Sequence, residues 1–164
     1  MGEAKVLVVF YSRSGFTRVV GQALARVLNA DLEELVDTRH RGGVLGYLRS
    51  GFDATLKRLT TLKPLTKDSG TYDVVVVGTP IWNASLSSPV RTFLTQHKAR
   101  LKQVAFFCTY GGSGDERVFR QMTDLCGKTP LGTMAVRHRA IGGPIQEARI
   151  REFVDTLQLA AAPG

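Results

Sequence analysis

Tyr11-Ser-Arg-Ser-Gly-Phe-Thr17 stands between the apolar run Val6-Leu-Val-Val-Phe10 and the helical pattern Val19, Val20, Ala23, Leu24, Val27 and Leu28. The chemistry such a segment offers is anion binding. Backbone N–H groups in a first helical turn have no internal partner, and the helix dipole places partial positive charge where they point. Ser12, Ser14 and Thr17 can add hydroxyl donors, and Gly15 lets the backbone turn. A plain strand-to-helix turn whose Ser and Thr act only as caps has the same composition, so the segment gains weight only from its companions. Two other stretches supply it. Thr79-Pro-Ile-Trp-Asn-Ala-Ser-Leu-Ser87 carries the chain's single tryptophan, Trp82, at a strand exit where a ring is expected to be only partly covered. Thr109-Tyr-Gly-Gly-Ser-Gly114 places Tyr110 beside glycine backbone that can approach a flat ligand and offer N–H donors. An anion cradle and two aromatic-bearing loops together describe a site for a planar, phosphorylated cofactor.

The elements that must bring these stretches together alternate along the chain. Strands are expected at Lys5–Phe10, Leu32–Val36, Asp73–Gly78, Val104–Cys108 and Thr133–His138. Helices are expected at Thr17–Leu28, Val44–Leu62, Pro89–His97, Glu116–Cys126 and Ile145–Leu157, with Ser88-Pro89 as an N-cap and N1 proline. Val74-Val-Val-Val77 lacks polar alternation, as a strand covered on both faces requires. Five β–α units with right-handed crossovers predict a three-layer α-β-α sandwich around a five-stranded parallel sheet of order 2-1-3-4-5. Strands one, three and four are neighbours in that order, so the three loops meet at one edge, next to the switch point where ligands bind. The loops after strands two and five lack comparable chemistry.

These residues resemble the flavodoxin family. Ser12-Arg-Ser-Gly-Phe-Thr17 is similar to its Thr/Ser-x-Thr/Ser-Gly-x-Thr phosphate loop, Gly78-Thr-Pro-Ile-Trp82 to the strand-three exit of flavodoxin-like reductases, and Thr109-Tyr-Gly-Gly-Ser-Gly114 to the third flavin loop. The resemblance implies non-covalently bound FMN. It places Ser12, Arg13, Ser14, Gly15, Phe16 and Thr17 around the 5′-phosphate, and Pro80, Ile81, Trp82 and Asn83 along the isoalloxazine. Trp82 would stack on or edge the ring, and backbone near Asn83 and Ala84 would face N5. Thr109, Tyr110, Gly111, Gly112 and Gly114 would cover the pyrimidine side. Phe16 and Arg13 depart from the family pattern but spare the backbone donors. The larger departure is charge, because carriers of this family are typically acidic.

This chain has a net charge of +8 and an isoelectric point near 9.9. Arg39, Arg41, Arg49, Lys57, Arg58, Lys63 and Lys67 face one acid, Asp53, between positions 39 and 67. Leu45, Leu48, Phe52, Leu56 and Leu59 add an apolar helical stripe, expected to pack on the sheet. The one-signed polar face suits an anionic membrane surface, an acidic protein partner or the phosphates of a pyridine nucleotide. Positive surroundings also favour reduced, anionic flavin, so the couple is expected to be less reducing than in acidic relatives. Nucleic-acid binding is not expected, since no aromatic residues interleave the basic ones.

A length of 164 residues with 43% hydrophobic content suits one domain. No apolar stretch approaches the roughly 20 residues that span a bilayer, and the N-terminus shows no leader pattern, so a cytoplasmic location is expected. Cys108 and Cys126 show no zinc or CxxC spacing and read as buried thiols. A Cys-x5-Arg phosphatase needs arginine where Gly114 stands, and a phosphoacceptor domain needs acids where Tyr11 and Thr79 stand. There is no GxxxxGK[ST]. His40, His97 and His138 are scattered and read as surface or helix-end residues. The leading reading is electron transfer by bound FMN, to a redox partner protein or a small-molecule acceptor. An NAD(P)H-dependent quinone or flavin reductase, and a basic interaction module that has lost the cofactor, are the alternatives.

Overall fold

Val6–Phe10 forms β1 with Leu7 to Phe10 buried, because a continuous apolar run suits a strand covered on both faces. The computed structural model describes residues 3–38, 45, 46, 48, 50 and 59–161. After β1 come α1 (Phe16–Leu28), β2 (Asp31–Glu34), β3 (Val74–Trp82), β4 (Ser85–Leu86) and α2 (Ser88–His97). They are followed by β5 (Gln103–Tyr110), α3 (Asp115–Cys126), β6 (Thr133–Arg137) and α4 (Pro144–Ala161). The strands lie in the order β2-β1-β3-β5-β6, all parallel, with the two-residue β4 antiparallel on β3. Counting parallel strands alone, this is the expected 2-1-3-4-5.

Strand alternation divides the core into two layers. Leu7, Val9, Val75, Val77, Val104 and Phe106 pack with Val90, Phe93 and Leu94 of α2 and Val118 and Met122 of α3. Val8, Phe10, Val74, Val76, Ala105 and Phe107 pack with Val20 and Leu24 of α1 and Ile150, Phe153 and Leu157 of α4. Helices thus cover both faces, and both faces of Val74–Val77 are dry. On the α1 face two glycines make room for phenylalanine rings. A Cβ at Gly21 would fall 2.8 Å from Phe10 Cδ1, and one at Gly78 would fall 2.0 Å from Phe107 Cζ.

Three of the differences from expectation have a clear physical reason. β2 covers Asp31–Glu34 rather than Leu32–Val36. Its Glu33 is buried and its carboxylate accepts from Thr66 N–H, Thr66 Oγ1 and Lys67 N–H, so the acid is satisfied within the sheet edge. β3 continues four residues beyond Gly78, since Thr79 and Pro80 pair with Cys108 and Thr109, and Ile81 and Trp82 turn back onto β4. β1 ends opposite Gly78, so Pro80 lies where β3 has lost that neighbour and a missing N–H is tolerated. The N-cap of α2 is Ser87, not Ser88. Ser87 N–H donates to Thr79 Oγ1 at 3.1 Å and its hydroxyl bonds the same atom at 3.0 Å.

Most of the helix expected over Val44–Leu62 lies outside the described residues, as do Arg39, Arg41, Arg49, Lys57 and Arg58. Its described C-terminal part is extended instead. Thr38 N–H donates to Thr61 O and Lys63 N–H to Val36 O, and Leu62 bridges Asp37 antiparallel. The described members of the expected apolar stripe, Leu45, Leu48 and Leu59, are exposed rather than packed on the sheet. Among the described residues no helix is long and apolar enough to cross a membrane.

Candidate functional site

β1 delivers Ser12 to the C-terminal edge of the sheet, where Gly15 at φ 100 takes the left-handed turn that starts α1. Ser12 Oγ accepts from Gly15 N–H at 3.1 Å and from Arg18 N–H at 3.2 Å. The hydroxyl expected to face a ligand therefore shapes the loop. The N–H groups of Ser14, Phe16 and Thr17 have no acceptor among the described residues. These are the donors an anion can take. Arg18, one turn in, is held by Glu34 at the end of β2, Nη2 to Oε1 at 2.6 Å, and this pairing raises its pKa further. Arg13 lies on the same loop.

The second loop is tighter than its sequence suggests. Ile81 pairs with Leu86 and Trp82 with Ser85, leaving Asn83 and Ala84 as a two-residue turn. Both have positive φ, 50° and 58°, the pattern of the hairpin turn whose twist matches its strands. Asparagine tolerates this conformation, whereas alanine is strained in it. Ala84→Gly is therefore expected to stabilise the protein by about 1 kcal/mol, read as a shift in the denaturant midpoint. Trp82 is 7% exposed and sits edge-on to Tyr11, ring centroids 5.4 Å apart. It is more covered than expected, because the hairpin folds its ring back into the α2–α3 layer. Pro80 and Ile81 remain half-buried.

The third loop follows β5. Thr109 is fully buried, and its hydroxyl bonds Thr17 Oγ1 at 2.8 Å, joining the first and third loops. Gly114 caps α3 at φ 107, and a Cβ there would lie 3.1 Å from Ala84 Cα, so only glycine lets the third loop close on the second. A Cβ on Gly112 would meet open space, and one on Gly111 would lie 3.4 Å from His138 Nδ1. Tyr110 is half-buried, with the Arg137 guanidinium 5.2 Å above its ring.

The loop after the fifth parallel strand, expected to contribute nothing, completes the rim. β6 is registered with Tyr110 opposite Arg137, which delivers His138 next to the glycines. Its ring stacks on Phe16 of the first loop, centroids 4.2 Å apart and planes at 11°. His138 is therefore a site-edge residue rather than an isolated surface histidine. Only strand register makes this visible, because no local pattern links residue 138 to residue 16. Free backbone donors at one end and glycine backbone with flanking rings at the other fit a phosphate-tailed planar cofactor. Cys108 is buried and its thiol is pushed up by that burial, so it offers no thiolate nucleophile.

Burial lowers the pKa of His138 and of His97, the latter further by Arg100 and against the pull of Asp68. Between these lowered folded values and the ordinary 6.5 the unfolded chain binds more protons, so stability falls as pH drops through that window. Thermal unfolding is expected to move to lower temperature from about pH 7 to about pH 5, and less so in a His97→Asn/His138→Asn variant.

The family model described as Flavodoxin matches residues 52–157. No curated protein matches the chain in sequence. A flavoprotein of Lactobacillus acidophilus NCFM, solved in complex with FMN, is similar at TM-score 0.74 and 21% identity over 93% of this chain and 99% of that one. A protein of Bacteroides eggerthii DSM 20697 is similar at TM-score 0.77 and 24% identity, over 94% and 98%. Oxidised flavodoxin 2 of Bacillus cereus follows at TM-score 0.62 and 16% identity, over 95% and 99%. At these identities the structures speak for the fold, and the family model speaks for the sequence across its larger part: the chain belongs to the flavodoxin family.

Proposed function

We propose that this protein binds FMN at the rim formed by the three loops and uses it to transfer electrons. The observation that carries the reading is their convergence: Thr17 and Thr109 share a hydroxyl bond across 92 residues, and Gly114 seats against Ala84. FMN, when bound, supplies reversible uptake of one or two electrons. The chain's residues hold and surround it. The N–H groups of Ser14, Phe16 and Thr17 would take the phosphate, aided by the start of α1. Pro80, Ile81, Trp82 and Asn83 would border one side of the ring, and Thr109, Tyr110, Gly111, Gly112 and Gly114 the other. Phe16 and His138, stacked on each other, close the rim beside the first loop. Electrons would come from and go to a redox partner protein or a small-molecule acceptor.

The test is a titration of the purified chain with FMN, followed by quenching of flavin fluorescence. Saturable one-to-one binding at micromolar concentration or tighter is the expected result; no binding overturns the reading. A chemically reduced, FMN-loaded sample should then pass electrons to an added acceptor. Steady oxidation of NADH or NADPH with a quinone, without any added reductase, would make the protein an enzyme instead of a carrier.

A further inference from the structure

Arg91 of α2 is 7% exposed and has no acid within ion-pair reach among the described residues. Among the described residues its guanidinium makes one hydrogen bond, from Nη2 to Ser85 Oγ at 3.3 Å, and its Nε is buried without a partner. Ser85 in turn donates to Gln121 Oε1 of α3 at 3.0 Å, and the same oxygen accepts Leu86 N–H at 3.1 Å. The guanidinium is thus tied to Ser85 of β4, the residue directly after the Asn83–Ala84 turn and the strand partner of Trp82. Burial lowers its pKa below the usual arginine value, and a guanidinium in a protein stays cationic at neutral pH. A charge removed from water without a counter-ion lowers stability, and a well-packed apolar residue of similar size would be tolerated better. Such a group is found where charge develops in function.

We propose that Arg91 is a positioning and charge-bearing residue of the cofactor site: it pins the Asn83–Ala84 hairpin through Ser85, and its uncompensated cation favours the reduced, more anionic state of flavin bound beside that hairpin. This rests on the reading that FMN occupies the loop rim. The cation is fixed and partly desolvated, so salt screens it far less than the surface lysines. It therefore sets the flavin's preference in a way that net charge alone does not.

The experiment compares Arg91→Met, Arg91→Gln and Arg91→Lys with the native FMN-loaded protein by redox titration against a dye of known potential. Met removes charge and hydrogen bond, Gln keeps a donor for Ser85 without the charge, and Lys keeps the charge. In the two neutral variants the preference for reduced over oxidised FMN is expected to fall about tenfold, equivalent to 59 mV for one electron. The lysine variant is expected to stay within about twofold of native. An unchanged potential in Met and Gln, or an equal change in all three, overturns the proposal. Thermal unfolding of the flavin-free proteins gives a second readout that does not depend on FMN. Arg91→Gln, which keeps a donor for Ser85, should unfold at or above the native temperature, and a lower temperature would show that the cation is compensated after all. Failure of the native protein to bind FMN would sink the proposed function first, whereas native binding with a flat variant series sinks only the role of Arg91.

Discussion

Replacing Gly78 by alanine is expected to cost about 3 kcal/mol of stability, the upper end of what overpacking a core does. The added Cβ would fall 2.0, 2.3 and 2.5 Å from Phe107 Cζ, Cε1 and Cε2, so the ring lies where the methyl must go. Phe107 is fully buried among Val8, Phe10, Val76, Met134 and Phe153, which leaves it no direction in which to yield. Gly78 is also paired on both edges, to Phe10 and to Phe107, so the strand cannot shift sideways without breaking two ladders. Equilibrium unfolding in urea would show the loss as a lower midpoint at unchanged slope. Shortening the ring in the same chain, as Gly78→Ala/Phe107→Leu, should return part of it, because the two positions are in contact and their effects are not additive. A loss under about 0.5 kcal/mol in the single variant would mean that the ring does not cover this glycine.

The second large effect concerns affinity. Ser14→Ala/Thr17→Ala is expected to weaken FMN binding by about two orders of magnitude, since hydrogen bonds to a charged group contribute roughly 1.5–3 kcal/mol each. Thr17 complicates this reading, because its hydroxyl is shared with Thr109. Thr109→Val removes that tie without touching the first loop, and about a fivefold loss is expected from a neutral hydrogen bond of roughly 1 kcal/mol. Riboflavin, which has no phosphate, is the control. Its affinity should fall by no more than the roughly fivefold that loss of the Thr17–Thr109 tie accounts for, and a loss as large as that of FMN would move the phosphate away from Ser12–Thr17.

Much of the architecture could be read from local chemistry. β1 and α1 announce themselves through an unbroken apolar run, a glycine turn and a helical stripe, and they begin within one residue of the expected positions. What was hidden depended on partners far along the chain. Asp31-Leu-Glu-Glu34 looks too acidic for a buried edge until Thr66 and Lys67 are seen to take up Glu33. The β3–β4 hairpin carries Asn83-Ala84 where a glycine would have advertised the turn. His138 and Arg137 are hidden for a different reason. Their place at the rim follows from the β5–β6 register, and nothing in their immediate neighbours distinguishes them from surface cations. The meeting of the three loops, by contrast, is legible because rings, hydroxyls and glycines occur together at the exits of three strands that are neighbours in the sheet.

The hydroxyl bridge from residue 17 to residue 109 also bears on when during its own synthesis the polypeptide can acquire its nucleotide. A nascent chain that has emerged only through β3 owns every donor of the first cradle but has nothing to steady Thr17 from below. Such a chain also lacks the third loop and two strands of the sheet, so capture of the prosthetic group is expected only once the carboxyl-terminal half has joined, and a truncated translation product ending before β5 is expected to remain colourless.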